Sequence, residues 1–492
     1  MRKRAQHCVD TFVQLQEPLS DEVIALSSVD QQAQRKYARN LLVFHLDDGI
    51  CSEDLVQNLT QALAAALSEL PDFAATVVPR PGSTRNELQL QLGPDSGVLT
   101  RVKDYTQCDQ RAWPYGSFAD LAARHFPLAH VPTELLFVET PNPKEAPRTG
   151  IPVCTIQLNF IHGGLIIGAT WHHTAGDGRS VNFLVRAWAR HFRASITDGR
   201  VAALEIPAEE TRARWLLNYG HQDGMISEMT DYIVSPAARD PCHPLGMHLL
   251  DRDDQSTVPF TVSTWVLSAT ALQSLVRALA TPIPGDDGGG FTQSEAIAAL
   301  VWKHLSIARQ LGRDQYRAGT TSLCTIRLDL RARLLPRLPE EYIGNINEPN
   351  ARIRLPLQEI CRPSTPESLA TLAGEIRKTT EQLGNTDVRN LIGLVNTLPN
   401  VTDLTWGYDL FPGPDLSFTD TSGLDLSQHD WGGPLGYPVC ARPYGGERGV
   451  AYVLPRGRDG AIELQLQAER EAIERLKEDE VFGQYAAFCS CA

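Results

Sequence analysis

The chain has 492 residues, and 45 basic against 59 acidic side chains give a net charge of -14. That balance argues against non-specific nucleic-acid binding, which needs a basic surface, yet a few local arginines and lysines suffice for a polyanionic small ligand. The length suggests two or three domains, and 42% hydrophobic with 21% charged residues is ordinary for a soluble globular protein.

No run reaches the length that spans a bilayer, and the basic stretch Met1 to Asp10 has no apolar core behind it. Neither a membrane anchor nor a secretory signal is expected. The closing Cys489-Ser490-Cys491-Ala492 lacks the aliphatic pair and the polybasic stretch of a prenylation signal. The ten cysteines form no CxxC pair and read as free thiols in a reducing compartment. His243 and His248 beside Cys242 come nearest to a metal cluster, and they read as solvated loop residues. No metal is expected.

Asn40 to Leu46 is an apolar run suited to a strand. A helix follows, with Ser52 expected at its N-cap and Glu53 and Asp54 in its first turn. Leu55, Leu59, Leu63, Leu67 and Leu70 recur at helical spacing as its buried stripe, and Pro71 ends it. Val153 to Ile161 and Leu165 to Trp171 read as strands joined by a tight turn at Gly163-Gly164. A helix begins at Arg179, with Val181, Leu184, Val185, Trp188 and Phe192 on one face. His172 to Gly178 is therefore a loop between a strand and a helix, where catalytic groups are commonly held.

Residues 196–263 show little periodicity and several prolines, and read as a crossover between two halves. Pro282 to Gly290 reads as a loop. Thr292 and Glu295 form a capping box before a helix whose core face is Ala296, Ile297, Leu300, Val301, Leu305 and Ala308. Leu323 to Leu328 is a strand. Gly449 to Leu454 and Ala461 to Gln467 form a hairpin across Arg458-Asp459-Gly460, and Glu469 to Phe488 reads as a final amphipathic helix. No repeat of solenoid length is present, and the irregular mixture of elements indicates an α/β or α+β layered fold.

The strongest chemical signal is His172-His173-Thr174-Ala175-Gly176-Asp177-Gly178. An alcohol is a poor nucleophile near neutral pH. A neutral imidazole is a base of suitable strength there, worth about a hundred- to ten-thousandfold in rate, or roughly 3–5 kcal/mol of barrier. Gly176 and Gly178 are expected to let the backbone turn sharply and a ligand approach closely. Asp177 has two readings. It orients an imidazole as a triad acid does, or it binds an arginine and fixes the loop. A lone histidine is more often structural, and only the full pattern after a strand-turn-strand favours a functional one. There is no glycine-rich phosphate loop, GxSxG elbow or HExxH helix, so phosphoryl transfer and zinc proteolysis have no anchor.

These residues resemble the BAHD acyltransferase family, in particular its fungal branch of trichothecene acetyltransferase-like proteins. His173 and Asp177 match its HxxxD motif, and Phe160 to Leu165 resembles its apolar-GG-apolar hairpin. Asp329-Leu330-Arg331-Ala332-Arg333, then Pro336, Leu338-Pro339 and Tyr342-Ile343-Gly344-Asn345, is similar to a second family segment. Asp430-Trp431-Gly432, then Gly436, Pro438 and Arg442, resembles the fungal form of a third, with Trp431 in place of Phe. Phe291 to Lys303 and the C-terminal helix are weaker matches. The resemblance runs through nearly the whole chain in order.

It implies two chloramphenicol acetyltransferase-like domains, each a mixed sheet flanked by helices, with a channel between them. The expected division is 1–200, a crossover at 201–262, and 263–492. It also implies acyl transfer from acyl-CoA, with acetyl-CoA the expected donor, to a hydroxyl of a fungal secondary metabolite. The protein is expected to be a cytoplasmic monomer with no permanent cofactor. His173 is implied as general base, Asp177 as pairing with Arg331, and Gly178 as supporting the loop. Asp430 and Gly432 are implied to shape the CoA end. Thr421 and Ser422 are weaker candidates for holding the oxyanion or the pantetheine arm, because Gly423 stands where the family often has Trp. Two rivals remain. A condensation-type enzyme shares HHxxxDG but takes its acyl group from a carrier protein or forms an amide. A non-enzymatic binding protein on a degenerate scaffold is opposed by the intact His173 and Asp177.

Overall fold

The strands Cys154–Ile161 and Gly164–His172 are buried along their whole length on both faces. Their near-continuous apolar sequence suits the centre of a sheet. Gly163 joins them with a φ of +75°, a conformation that a side chain would resist. The computed structural model describes residues 7–47, 49–106, 108, 111–141, 150–197, 199, 211–222, 231–234, 258–280, 290–311, 319–346 and 348–491.

The two strands sit in a six-stranded sheet of spatial order His7–Gln14, Gly97–Asp104, Cys154–Ile161, Gly164–His172, Tyr37–His45 and Cys440–Pro443. One strand of the third expected segment, Cys440–Pro443, thus pairs at the edge of a sheet built from the first. A seven-stranded sheet has the order Ala351–Pro356, Thr321–Arg327, Leu416–Asp420, Val450–Val453, Ile462–Glu469, Phe260–Leu267 and Ala487–Cys491. Three of its strands, Thr321–Arg327, Leu416–Asp420 and Val450–Val453, run parallel. Ligands in α/β sheets bind beyond the carboxyl ends of such strands.

Helices cover each sheet. Ser52–Glu69 and Gly178–Thr197 pack on the first, tied by a bond of 2.8 Å from Trp188 Nε1 to the Leu59 carbonyl. The expected cap at Ser52 is displaced by one residue: Cys51 is the N-cap, and it makes no side-chain capping bond. Gln293–Ala308 and Pro366–Gln382 lie against the second sheet, and the capping box of Thr292 and Glu295 is present. The hairpin near residue 460 forms as expected, between Val450–Val453 and Ile462–Glu469.

The final helix expected from Glu469 to Phe488 is instead two short helices and a strand, Arg470–Lys477, Glu480–Gly483 and Ala487–Cys491. Asp479 breaks it. Its carboxylate accepts from the Val481 and Phe482 amides, starting a new helix, and also bonds His304 at 2.6 Å. The last residues then pair with Phe260–Leu267. Within the expected crossover, the described parts are a turn of 3-10 helix at Arg214–Leu217, a short strand Tyr232–Val234 and the start of Phe260–Leu267. Pro282 to Gly289 and the Cys242, His243, His248 group lie outside the described residues. Among the described residues no helix is long and apolar enough to cross a membrane, and no three His, Cys, Asp or Glu side chains gather as metal ligands.

Candidate active site

The strand Gly164–His172 ends at one wall of a cavity of about 510 Å³, with His173 in the single 3-10 turn His173–Ala175 that follows. The opposite wall comes from the second sheet. Arg327, Thr419 and Tyr452, from the ends of its three parallel strands, line the same cavity. The site therefore lies where the two sheets face each other.

The structure separates the paired histidines. His172 is 1% exposed, bonds Thr174 Oγ1 at 2.8 Å through Nδ1, and meets the Tyr37 ring edge-on at 5.3 Å. Burial, with Arg35 nearby, pushes its pKa down to about 3, so it stays neutral and structural. His173 is partly buried and faces the cavity. Its pKa is also lowered, first by burial and then by the positive charges of Arg327 and Lys36.

Asn345 fixes the His173 tautomer. Its Nδ2 donates to Asp30 Oδ1 at 2.9 Å and to the His173 carbonyl at 3.0 Å. A carboxylate only accepts, so the amide can point one way. Asn345 Oδ1 then receives the proton on His173 Nδ1, at 3.1 Å, and Nε2 keeps its lone pair. Asp30 is fully buried and held in turn by Arg214 Nη1 at 2.6 Å. A chain of contacts thus runs from Arg214 in the crossover, through Asp30 and Asn345, to the imidazole.

Sequence reasoning assigned none of these three a role. Asn345 stood inside a recognised segment, and Ser27-x-x-Asp30 is a legible capping box. Nothing local marks Arg214. Replacing Asn345 with alanine removes one orienting hydrogen bond, worth about 1–1.5 kcal/mol. A fall in kcat of about tenfold is expected, measured by steady-state kinetics on folded protein.

Of the two readings of Asp177, the structure shows the arginine-bound one. Its Oδ1 accepts from Arg331 Nη2 at 2.9 Å and from the Ser180 amide at 3.0 Å, where it caps the helix Gly178–Thr197. The pair is buried, with side chains 5% and 6% exposed. Burial alone would raise the Asp177 carboxyl, but Arg331 and Ser180 bring it below its usual value. Arg331 also donates to Asp329 at 3.0 Å and to the Tyr342 carbonyl at 3.2 Å. Ser180 Oγ bonds the Gly344 carbonyl and receives the Gly344 amide. The histidine loop and the Tyr342 to Asn345 segment are therefore locked together.

The sharp turn expected at the glycines is not made, while Gly178 does line the cavity. Neither Gly176 nor Gly178 has a left-handed φ. A Cβ on Gly176 would lie 2.7 Å from Ser180 Cβ, and one on Gly178 would lie 3.2 Å from Leu424 Cδ1. Both serve close packing rather than a sharp turn.

Asp430 and Gly432 stand away from the cavity lining. Asp430 bonds Arg193 at 2.9 Å and accepts from the Gly432 amide at 2.9 Å. Gly432 has φ +68°. Between them Trp431 is fully buried against Phe44 and Trp188, pinning this loop to the first core. Thr421 lines the cavity, but its hydroxyl donates to the Val453 carbonyl at 2.6 Å. Its one proton is committed there, so towards a ligand the hydroxyl can only accept. Ser422 is not among the lining residues; its amide bonds Asp420 at 2.8 Å.

The fold is mixed α/β, with the site between its two largest sheets. Residues 129–481 match the transferase family and residues 37–188 match the trichothecene 3-O-acetyltransferase-like N-terminal domain. The chain is 47% identical over 479 residues to acyltransferase easC of Emericella nidulans, covering 97% of this chain and 98% of that one. It is 46% identical over 484 residues to acyltransferase cm3D of Cordyceps militaris, covering 98% and 99%. Among solved structures, TRI101 of F. graminearum, complexed with coenzyme A and T-2 mycotoxin, superposes with a TM-score of 0.77 at 19% identity, covering 95% of this chain and 100% of that one. That likeness is one of fold, two chloramphenicol acetyltransferase-like domains with a channel between them. The chain belongs to the BAHD acyltransferase family, in its fungal branch.

Proposed function

We propose that this protein transfers an acyl group from acyl-CoA, with acetyl-CoA as donor, to a hydroxyl of a fungal secondary metabolite, and that His173 is the general base. The observation that carries the reading is the amide of Asn345, which leaves unprotonated the Nε2 of His173, a residue lining the cavity between the sheets. The match to a 3-O-acetyltransferase-like domain supports oxygen as the acceptor atom and acetyl as the group. The coenzyme A bound by TRI101 supports a CoA donor.

His173 Nε2 takes the proton from the acceptor hydroxyl as its oxygen attacks the thioester carbonyl. The tetrahedral oxyanion collapses, the carbon–sulfur bond breaks, and the imidazolium returns the proton to the CoA thiolate. Asp177 takes no part in proton transfer. With Arg331 it holds the loop, and Asn345 keeps the ring in the reactive tautomer. Asp430 and Gly432 hold their loop in shape, and acyl-CoA is a co-substrate rather than a resident group.

The test is release of free CoA thiol from acetyl-CoA with a panel of hydroxylated metabolites. Turnover with free acyl-CoA supports the reading. Turnover only when a carrier protein supplies the acyl group overturns it in favour of a condensation-type enzyme. The pH dependence adds a second check. Both burial and neighbouring cations favour the neutral ring, so the base is ready at pH 7. The acid limb of kcat/KM is expected below pH 6.5, the ordinary value of the ring. A limb above 6.5 would contradict the assignment.

A further inference from the structure

Arg327 is a cation that the proposed mechanism leaves unused. It ends the strand Thr321–Arg327, lines the cavity with His173, and stands in register with Thr419. Among the described residues it makes no hydrogen bond and has no carboxylate at ion-pair distance. Its two carboxylate neighbours are already taken. Glu447 bonds Lys36 and accepts from Tyr452 Oη at 3.1 Å. Glu348 accepts from Tyr232 Oη at 2.7 Å and lies 4.0 Å from Arg352.

Three other arginines of the cavity meet carboxylates. Arg331 and Arg179 face Asp329, and Arg442 faces Glu463. Arg39 lies over the Phe137 ring and donates to Thr140. Arg327 is thus a positive charge with no carboxylate at ion-pair distance, on the wall that faces the base. Burial pulls its pKa down, but Tyr408, Tyr452 and Glu447 more than offset that, so it stays charged. A secluded cation without a counter-ion is unfavourable, and an incoming anion relieves it. Its flat fork matches a carboxylate with two parallel bonds.

We propose that Arg327 forms a carboxylate subsite beside His173, so that the acceptor is a hydroxy acid whose hydroxyl meets the base while its carboxylate meets the guanidinium. This rests on the acyl-transfer reading above. The phosphates of CoA are a poorer match, because the thioester must lie at His173 and its phosphates then lie a full pantetheine arm away. Tyr37, Trp171, Tyr444 and Tyr452 bring aromatic rings to the cavity, which suits an aromatic probe.

The test is binding of 3-phenyllactate and of its methyl ester, by calorimetry, to the wild type and to Arg327→Gln and Arg327→Lys, each first shown folded by circular dichroism. The wild type is expected to bind the acid about ten- to a hundredfold more tightly than the ester, the range of a charge-assisted hydrogen bond. Arg327→Gln is expected to lose that preference and Arg327→Lys to keep part of it. Equal affinity for acid and ester in the wild type, including no measurable binding of either, overturns the proposal. So does a preference that survives in Arg327→Gln, or an Arg327→Gln effect confined to the KM for acetyl-CoA. Absence of acyl transfer to any hydroxyl compound would instead sink the acyl-transfer reading and leave a measured acid preference standing.

Discussion

Replacing His173 with alanine is expected to lower kcat by about a hundred- to ten-thousandfold, the range for loss of a general base. The ring is held by one hydrogen bond to Asn345 and borders open cavity, so its removal leaves no buried group unpaired beyond that amide oxygen. The fold is expected to survive, with an unfolding midpoint near that of the wild type. Affinity for CoA, measured by calorimetry, is expected to change little. A variant that binds CoA normally and turns over near the wild-type rate would refute the base. Replacing His172 gives the opposite pattern. That ring is sealed between Thr174 and Tyr37, so its loss destabilises the sheet end before it touches chemistry.

The second large effect is on stability. Changing Arg331 to alanine leaves the Asp177 carboxylate buried without its cation, and breaking a buried pair in this way costs about 3–5 kcal/mol. Asp177 is only 6% exposed, so water offers little relief. The same change removes donors from Asp329 and from the Tyr342 carbonyl, which frees the segment carrying Asn345. Stability in urea and kcat are therefore expected to fall together, unlike in the His173 variant, where only kcat falls. A loss below about 1 kcal/mol, the scale of an exposed surface pair, would show that Asp177 finds water in solution.

Much of this was legible in local sequence. The strand, turn and strand before His173 and the helix after it follow from apolar runs of the right length and period, because burial decides both. The seven-residue loop was legible because its residue types are improbable together. The supporting contacts were not, because they join residues far apart in the chain. Asn345 is 172 residues from His173, and Asp30 is 315 from Asn345. Their capping and turn signals say only that a helix starts, not what the side chain meets.

The misread C-terminal helix has the same cause. Residues 487–491 carry no strong period of their own, and they become a strand because the edge of Phe260–Leu267 is there to pair with. Gly176 is a subtler case. Sequence pointed to backbone freedom, whereas the structure uses the missing side chain as space for Ser180.

In the proposed mechanism His173 Nε2 removes the acceptor's proton inside the cavity between the sheets. The most direct measurement is a crystal structure with CoA and an unreactive acceptor bound together. The acceptor oxygen is expected within about 2.6–3.2 Å of Nε2, with the CoA sulfur reaching the same point from the other side. An acceptor bound elsewhere, or a ring turned so that Nε2 faces Asn345 and Nδ1 faces the cavity, would contradict it.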